Sequence, residues 1–165
     1  MAKIKFGKEG HLVLEITPLT IWSNPGSEGE FMEYQLGLFC EGRSVFNPEW
    51  QEKLVAVKDE EMIYVSDFIL QTLNEHRENN WTMLEPKASL YMYPVENALG
   101  CCSSYKPRDM FQLQITLEQN IFAGEDKVFG PYSNTGLTIS FEADKEEWAQ
   151  FALDIRHEEE DFDEE

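Results

Sequence analysis

Two segments in the second half of the chain alternate strictly between apolar and polar residues, and this alternation constrains the fold most. The segments are residues 111–118 (FQLQITLE) and 137–142 (LTISFE). A period of two places apolar side chains on one face of a β-strand and polar side chains on the other. Because parallel strands are usually apolar on both faces, the pattern predicts an antiparallel sheet with one face in water.

A helical pattern near the C-terminus can cover the apolar face of that sheet. Asp144 and Glu147 match a capping box in which Asp takes the place of Ser or Thr. The apolar stripe that follows has the spacing of an amphipathic helix, and its members are Trp148, Phe151, Ala152 and Ile155. The pattern predicts a helix that packs on the sheet and ends near Arg156 and His157, whose charges suit a helix C-terminus.

The rest of the chain predicts further strands and a second helix. Alternation marks residues 11–16 and 32–40, and residues 41–43 (Glu-Gly-Arg) are typical of a hairpin tip. Ser66 predicts the N-cap of the second helix, and a further strand follows Pro86. We therefore expect an α+β fold, with a mainly antiparallel sheet of about six strands, continuous, split or strongly curled, and two amphipathic helices.

The length of the chain favours one domain. Its 165 residues, of which 42% are hydrophobic, are enough for a single apolar core. We expect one α+β domain over residues 1–157. The last eight residues, 158–165, include seven acids and one Phe, and such a segment has little apolar surface to bury. We therefore expect a disordered acidic tail there.

The charge of the chain is strongly negative. There are 32 Asp and Glu residues against 13 Lys and Arg residues, which leaves a formal charge of −19. Nucleic acid is not an expected ligand, because proteins bind phosphate backbones through basic surfaces. No stretch approaches the roughly 18 apolar residues that span a membrane, and the N-terminus lacks the pattern of a signal peptide. We expect no membrane association and a cytoplasmic location.

The chain has three cysteines, Cys40, Cys101 and Cys102. Their number is odd and they form no Cys-x-x-Cys pair, so we expect reduced thiols, as is typical of the cytoplasm. For the adjacent Cys101 and Cys102, the alternatives are a strained disulfide bond and a contribution to a site for a soft metal.

No arrangement of residues in the sequence predicts catalysis. Ser103 and Ser104 do not belong to a nucleophile motif and have no recognisable base partner. The three histidines, His11, His76 and His157, lie far apart in the sequence and lack the spacing of metal ligands. We therefore expect a protein that is not an enzyme, with no catalytic residues, no metal site and no cofactor.

Two connections are unusually long, residues 94–109 and 119–136. Loops of this length in a compact domain are typically functional, and these two carry four aromatic residues, one in the first loop and three in the second. The candidate residues for binding a protein partner are Tyr105, Phe122, Phe129 and Tyr132. The alternative interpretation is a loop that packs on a hydrophobic patch of its own domain.

The order of the elements resembles a known family. The segments that carry this likeness are residues 34–39 (YQLGLF), 68–73 (FILQTL), 81–86 (WTMLEP), 137–144 (LTISFEAD) and 148–156 (WAQFALDIR). Over roughly residues 10–157, the chain resembles the WapI-like family of bacterial immunity proteins and its relatives. The resemblance implies a small cytosolic antitoxin that neutralises a toxin domain, often a nuclease, and it implies no catalytic residues. The two long loops and the acidic tail depart from the family pattern.

These observations favour a non-enzymatic acidic binding protein. The hypothesis that combines them is an immunity protein whose partner is a basic toxin domain, because an acidic surface can cover the basic cleft of a nuclease. One alternative is a small ligand-binding or enzymatic domain with a pocket between the sheet and the helices. Another is a housekeeping interaction protein.

Overall fold

The structure is a computed structural model that describes residues 2–6, 10–23, 30–45, 54–58, 63–82, 88–95, 109–118 and 136–163. In chain order these residues form β1 (Ala2–Phe6), β2 (Leu12–Ser23), β3 (Glu30–Cys40), β4 (Arg43–Ser44), β5 (Leu54–Lys58), α1 (Val65–Glu75), β6 (Asn79–Thr82), β7 (Ala88–Pro94), β8 (Met110–Glu118), β9 (Gly136–Asp144) and α2 (Lys145–Asp163). The prediction of an α+β fold with two helices is confirmed.

The first half of the chain forms an antiparallel sheet, which we call sheet 1. Its strands run in the order β1, β2, β3, and β4 and β5 both pair with β3, at opposite ends of that strand. The predicted hairpin tip is confirmed between β3 and β4. Glu41 and Gly42 have φ values of 50° and 77° there, and two consecutive residues with positive φ are typical of tight hairpin turns.

The second half forms sheet 2, an antiparallel meander in the order β6, β7, β8, β9. Leu90 pairs with Ile115, and Ile115 pairs with Ile139, so the apolar positions of successive strands share one face. The prediction of about six strands in one sheet is wrong, because the described residues form two sheets with five and four strands, and of its alternatives only a split sheet agrees with the structure. Alternation within a strand shows which residues share a face but does not show which strands pair.

Both sheets and both helices contribute to one hydrophobic core. Helix α2 packs against β1 and β2 of sheet 1 and against β8 and β9 of sheet 2, while α1 packs against α2, β6 and β7. The predicted stripe of α2 is confirmed, since all four residues are buried, and the indole N–H of Trp148 donates to the carbonyl of Phe111 at 3.0 Å. The rings of Phe6 and Phe141, on β1 and β9, lie 4.9 Å apart. Strands of the two sheets therefore meet beside α2.

The capping box at the start of α2 is confirmed. The backbone N–H of Glu147 donates to Oδ1 of Asp144 at 2.9 Å, and the N–H of Asp144 donates to Oε2 of Glu147 at 3.2 Å. The N-cap predicted for α1 is wrong. Helix α1 begins at Val65, its N-cap is Tyr64 without a side-chain cap, and Ser66 lies in the first turn.

The C-terminal end of α2 also differs from the prediction. The helix does not end near residues 156–157 but continues through Asp163, so residues 158–163 of the expected disordered tail are helical. Within this segment Glu159 is buried and Phe162 packs against the core. Neither helix in the described residues is long and apolar enough to cross a membrane.

Candidate functional site

The partner-binding residues predicted from sequence lie outside the described residues. These residues are Tyr105, Phe122, Phe129 and Tyr132, and Cys101 and Cys102 lie outside as well. Among the residues that are described, no three His, Cys, Asp or Glu side chains lie together as a metal site would require. Two other features stand out in the described part of the chain: a buried carboxylate and an outward sheet face that carries two half-buried tyrosines.

The buried carboxylate belongs to Glu159 of α2, which is only 3% exposed. The hydroxyl of Tyr34, on β3, donates to Oε1 of Glu159 at 2.6 Å. The backbone N–H of Ser66 donates to the same oxygen at 3.4 Å, and the hydroxyl of Ser66 donates to Oε2. The carboxylate thus accepts hydrogen bonds from sheet 1 and from α1, and it links both to α2.

This carboxylate replaces the missing local cap of α1. The first turn of a helix exposes N–H groups that need acceptors, and the helix dipole favours a negative charge there. Glu159 meets both requirements from another helix. One turn earlier on α2, the guanidinium of Arg156 bonds to Asp67 in the same first turn of α1. The end of α2 therefore holds the start of α1 through two side chains.

Burial determines the protonation of this group. Loss of solvent raises the pKa of Glu159 above its ordinary value, although the hydrogen bonds from Ser66 and Tyr34 oppose the rise. Burial, and then the charge of Glu159, raise the pKa of Tyr34, so this phenol stays neutral and donates. Tyr34 and Ser66 are 0% and 1% exposed, which leaves no access for a substrate. We therefore interpret the cluster as structural.

The second feature is the outward face of sheet 2, which we call the tyrosine face. It is formed by the central residues that alternate with the buried ones on the three strands β7, β8 and β9, without the strand ends, where Glu118 and Asp144 lie. Its members are Ser89, Tyr91, Tyr93, Gln112, Gln114, Thr116, Thr138, Ser140 and Glu142. Glu142 is the one charged residue among these nine, whereas the outward face of sheet 1 carries Lys3, Lys5, Glu15 and Glu33.

The two tyrosines are held in place by each other and by polar neighbours. The ring centroids of Tyr91 and Tyr93 lie 5.2 Å apart, with the rings tilted by 37°. The hydroxyl of Tyr93 donates to Oε1 of Gln112 and accepts from Nε2 of Gln114 at 3.3 Å. The hydroxyl of Tyr91 donates to Oε2 of Glu78, which raises the pKa of Tyr91. These contacts fix the orientation of both tyrosine rings in the free protein.

The chemistry of the tyrosine face is that of recognition. Tyrosine offers a large rigid surface with few rotatable bonds, and amide and hydroxyl groups offer adaptable hydrogen bonds. The centres of protein interfaces are enriched in tyrosine and depleted of charge. The hydroxyls of Thr116 and Thr138 form a cross-strand hydrogen bond of 3.0 Å, which links the side chains of β8 and β9 on the same face.

The sequence contains a signal for this face that the partner-binding prediction did not use. Tyr91 and Tyr93 occupy outward positions of a strand whose inward positions, Leu90 and Met92, are apolar. Aromatic residues at the polar phase of an alternating strand are a sign of an exposed recognition surface. The prediction selected the long loops instead, because loops of that length are typically functional and these two contain four aromatic residues against two in β7.

Comparison of the chain with known protein families, with curated proteins and with solved structures finds no match in any of the three.

Proposed function

We propose that this chain is a non-enzymatic binding protein that neutralises a basic toxin domain, in the manner of an immunity protein, and that it docks through the tyrosine face. The observation that carries the proposal is the contrast between the whole chain and this face. The chain has a formal charge of −19, while one charged residue stands among the nine central outward residues of the face, and two further acids, Glu118 and Asp144, lie at the strand ends.

A charge-poor centre favours docking because desolvation of carboxylates is costly. Every carboxylate that is buried in an interface needs a matched partner to offset the loss of water. Tyr93 can be covered without that cost, since its hydroxyl is bonded to the uncharged Gln112 and Gln114. The carboxylate of Glu78 beside Tyr91, in contrast, needs a cation from the partner. Buried tyrosines at the centre of an interface are frequent hot spots.

The net charge of the whole chain favours a basic partner. A second copy of the chain would carry the same −19 and would be repelled, whereas a basic domain would be attracted. The toxin role is supported by the order of elements, which resembles the immunity family, and by the basic cleft that a nuclease presents to its substrate. The acidic charge of the chain would attract it to such a cleft, and the aromatic residues of the face would hold it there.

A ligand pocket between sheets and helices receives less support. The side chains that face this space pack as one core, and Trp148, Phe111 and Phe68 are each 0% exposed there. Binding at the outer surface of sheet 2 requires no rearrangement of that core.

The proposal is tested by protection of cells. The proposal requires a toxin domain encoded next to this gene, and that domain is expressed with the wild-type chain or with the double variant Tyr91→Ala/Tyr93→Ala. We expect growth with the wild type and arrest with the variant. Both chains must be equally abundant and folded, as judged by immunoblot and circular dichroism.

A matched control removes an aromatic side chain from the other sheet. Phe39 lies on the outward face of sheet 1, and Phe39→Ala should still protect the cells. Growth arrest with the wild-type chain would contradict the immunity role. Equal protection by the wild type and the double variant would contradict the assignment of the tyrosine face.

A further inference from the structure

Tyr91 and Glu78 combine an aromatic ring with a carboxylate at one end of the tyrosine face. Tyr91 lies on β7 between Asn80 of β6 and Gln114 of β8, which are its partners across the two strand pairs. Its hydroxyl donates to Oε2 of Glu78, an exposed residue just before β6. The hydrogen bond places the carboxylate at the rim of the ring.

This arrangement matches the needs of a planar cation. A guanidinium group stacks on the face of an aromatic ring and also forms hydrogen bonds with a carboxylate at its edge. Tyr93 packs beside Tyr91 with centroids 5.2 Å apart and widens the aromatic surface. We propose that Tyr91, Tyr93 and Glu78 form a binding site for one arginine side chain of the partner, an inference that rests on the proposed basic partner.

Arginine fits this site better than lysine does. Its flat guanidinium stacks on a ring and presents several N–H donors in a fixed plane, whereas an ammonium is a compact and strongly hydrated point charge. The neighbouring cation of the chain is engaged elsewhere, because Nε of Arg77 lies 2.5 Å from Oε2 of Glu75. An arginine from outside therefore does not have to displace Arg77 from Glu78.

The site is tested without the toxin. The probe is the peptide acetyl-Gly-Arg-Gly-amide, which is titrated into the labelled protein while the ring resonances of Tyr91 and Tyr93 are followed by NMR. We expect saturable shifts at these rings with a Kd in the roughly millimolar range. The same peptide with citrulline, which has the same shape without the charge, should bind at least about tenfold more weakly.

Two exposed acids distinguish a site from general attraction. Glu78→Gln should raise the Kd of the arginine peptide by about fivefold or more, because it removes the negative charge at the edge of the Tyr91 ring. Glu160→Gln removes the same charge from an exposed position of α2, away from the tyrosine face, and should change the Kd by less than about twofold. Equal binding of citrulline, or an equal effect of the two substitutions, would overturn the site.

The outcome is separable from that of the proposed function. If the arginine peptide binds at Tyr91 but the chain does not protect against the toxin, the arginine site is supported and the immunity role is contradicted. If protection depends on Tyr91 and Tyr93 but the arginine peptide does not bind, the immunity role is supported and the arginine site is contradicted.

Discussion

The hydroxyl of Tyr34 lies 2.6 Å from Oε1 of Glu159, although 125 positions separate the two residues in the chain. Tyr34 lies on β3 of sheet 1 and Glu159 near the end of α2. The same hydroxyl accepts the N–H of Val65, at the start of α1, at 3.3 Å. One buried pair therefore connects a strand and both helices, and the stability of the fold should depend on it.

Truncation of this carboxylate should destabilise the protein. Glu159→Ala leaves the hydroxyls of Tyr34 and Ser66 without their acceptor in a buried place, and we expect a loss of about 2–4 kcal/mol in the free energy of unfolding. Glu159→Gln keeps an acceptor for Tyr34 and should stay within about 1 kcal/mol of the wild type at pH 7. Urea melts measure both values. An alanine variant as stable as the wild type would show that the hydrogen bonds contribute nothing.

The raised pKa of Glu159 predicts a specific dependence on pH. Above its ordinary value of 4.5, the unfolded chain loses this proton while the folded chain still holds it, so the folded state binds more protons. The stability that comes from binding this proton is complete below that pH and is lost as the pH rises through the folded pKa, whereas the ionised carboxylate still accepts the hydrogen bonds from Tyr34 and Ser66.

The comparison with Glu159→Gln isolates this effect, because all other acids are the same in both proteins. From pH 4 to pH 8 the stability of the glutamine variant should rise relative to that of the wild type and then level off. Urea melts at each pH give the difference. A difference that is constant, or that runs in the opposite direction, would mean that burial does not raise this pKa.

The buried stripe of α2 predicts a large effect at Phe151. This side chain is 1% exposed, and Phe151→Ala should cost about 3–5 kcal/mol in the free energy of unfolding because it leaves a cavity. Leu153, on the same helix, is 48% exposed and serves as the control. Leu153→Ala should change the stability by less than about 0.5 kcal/mol in urea melts. Equal effects would mean that α2 is turned differently about its axis.

Removal of the acidic end tests whether its helical part is structural. A chain that ends at residue 157 loses Glu159 and also Phe162, which packs against the core. We expect its Tm to fall by at least about 6 °C. A chain that ends at residue 163 keeps both and should melt with the full-length protein. Equal Tm values for all three chains would show that residues 158–163 add no stability.

The sequence predicted the elements that depend on local pattern. Alternation at Phe111, Leu113 and Ile115 identified β8, and the spacing of Trp148 and Phe151 identified α2. Strand β1 was missed, although Ala2, Ile4 and Phe6 alternate with two lysines, because the segment is short. Local periodicity of this kind is visible in a single sequence.

The sequence could not predict the features that depend on distant contacts. The division into two sheets is a matter of which strands pair. Glu159 stands in a run of acids that has the composition of a solvated tail, and its burial depends on Tyr34 and Ser66, which lie far away in the chain. The tyrosine face could have been predicted from the sequence, because Tyr91 and Tyr93 are two residues apart in a strand and therefore share one face.

The most direct test of the proposed function is the kinetics of binding to the toxin domain that the proposal places in an adjacent gene. We expect association to slow steeply with added salt, since the charge of −19 steers a basic partner. We expect Tyr91→Ala/Tyr93→Ala to raise the dissociation rate at least about tenfold, and Phe39→Ala to leave it within about twofold. A double variant that dissociates at the wild-type rate, with association insensitive to salt, would contradict the account.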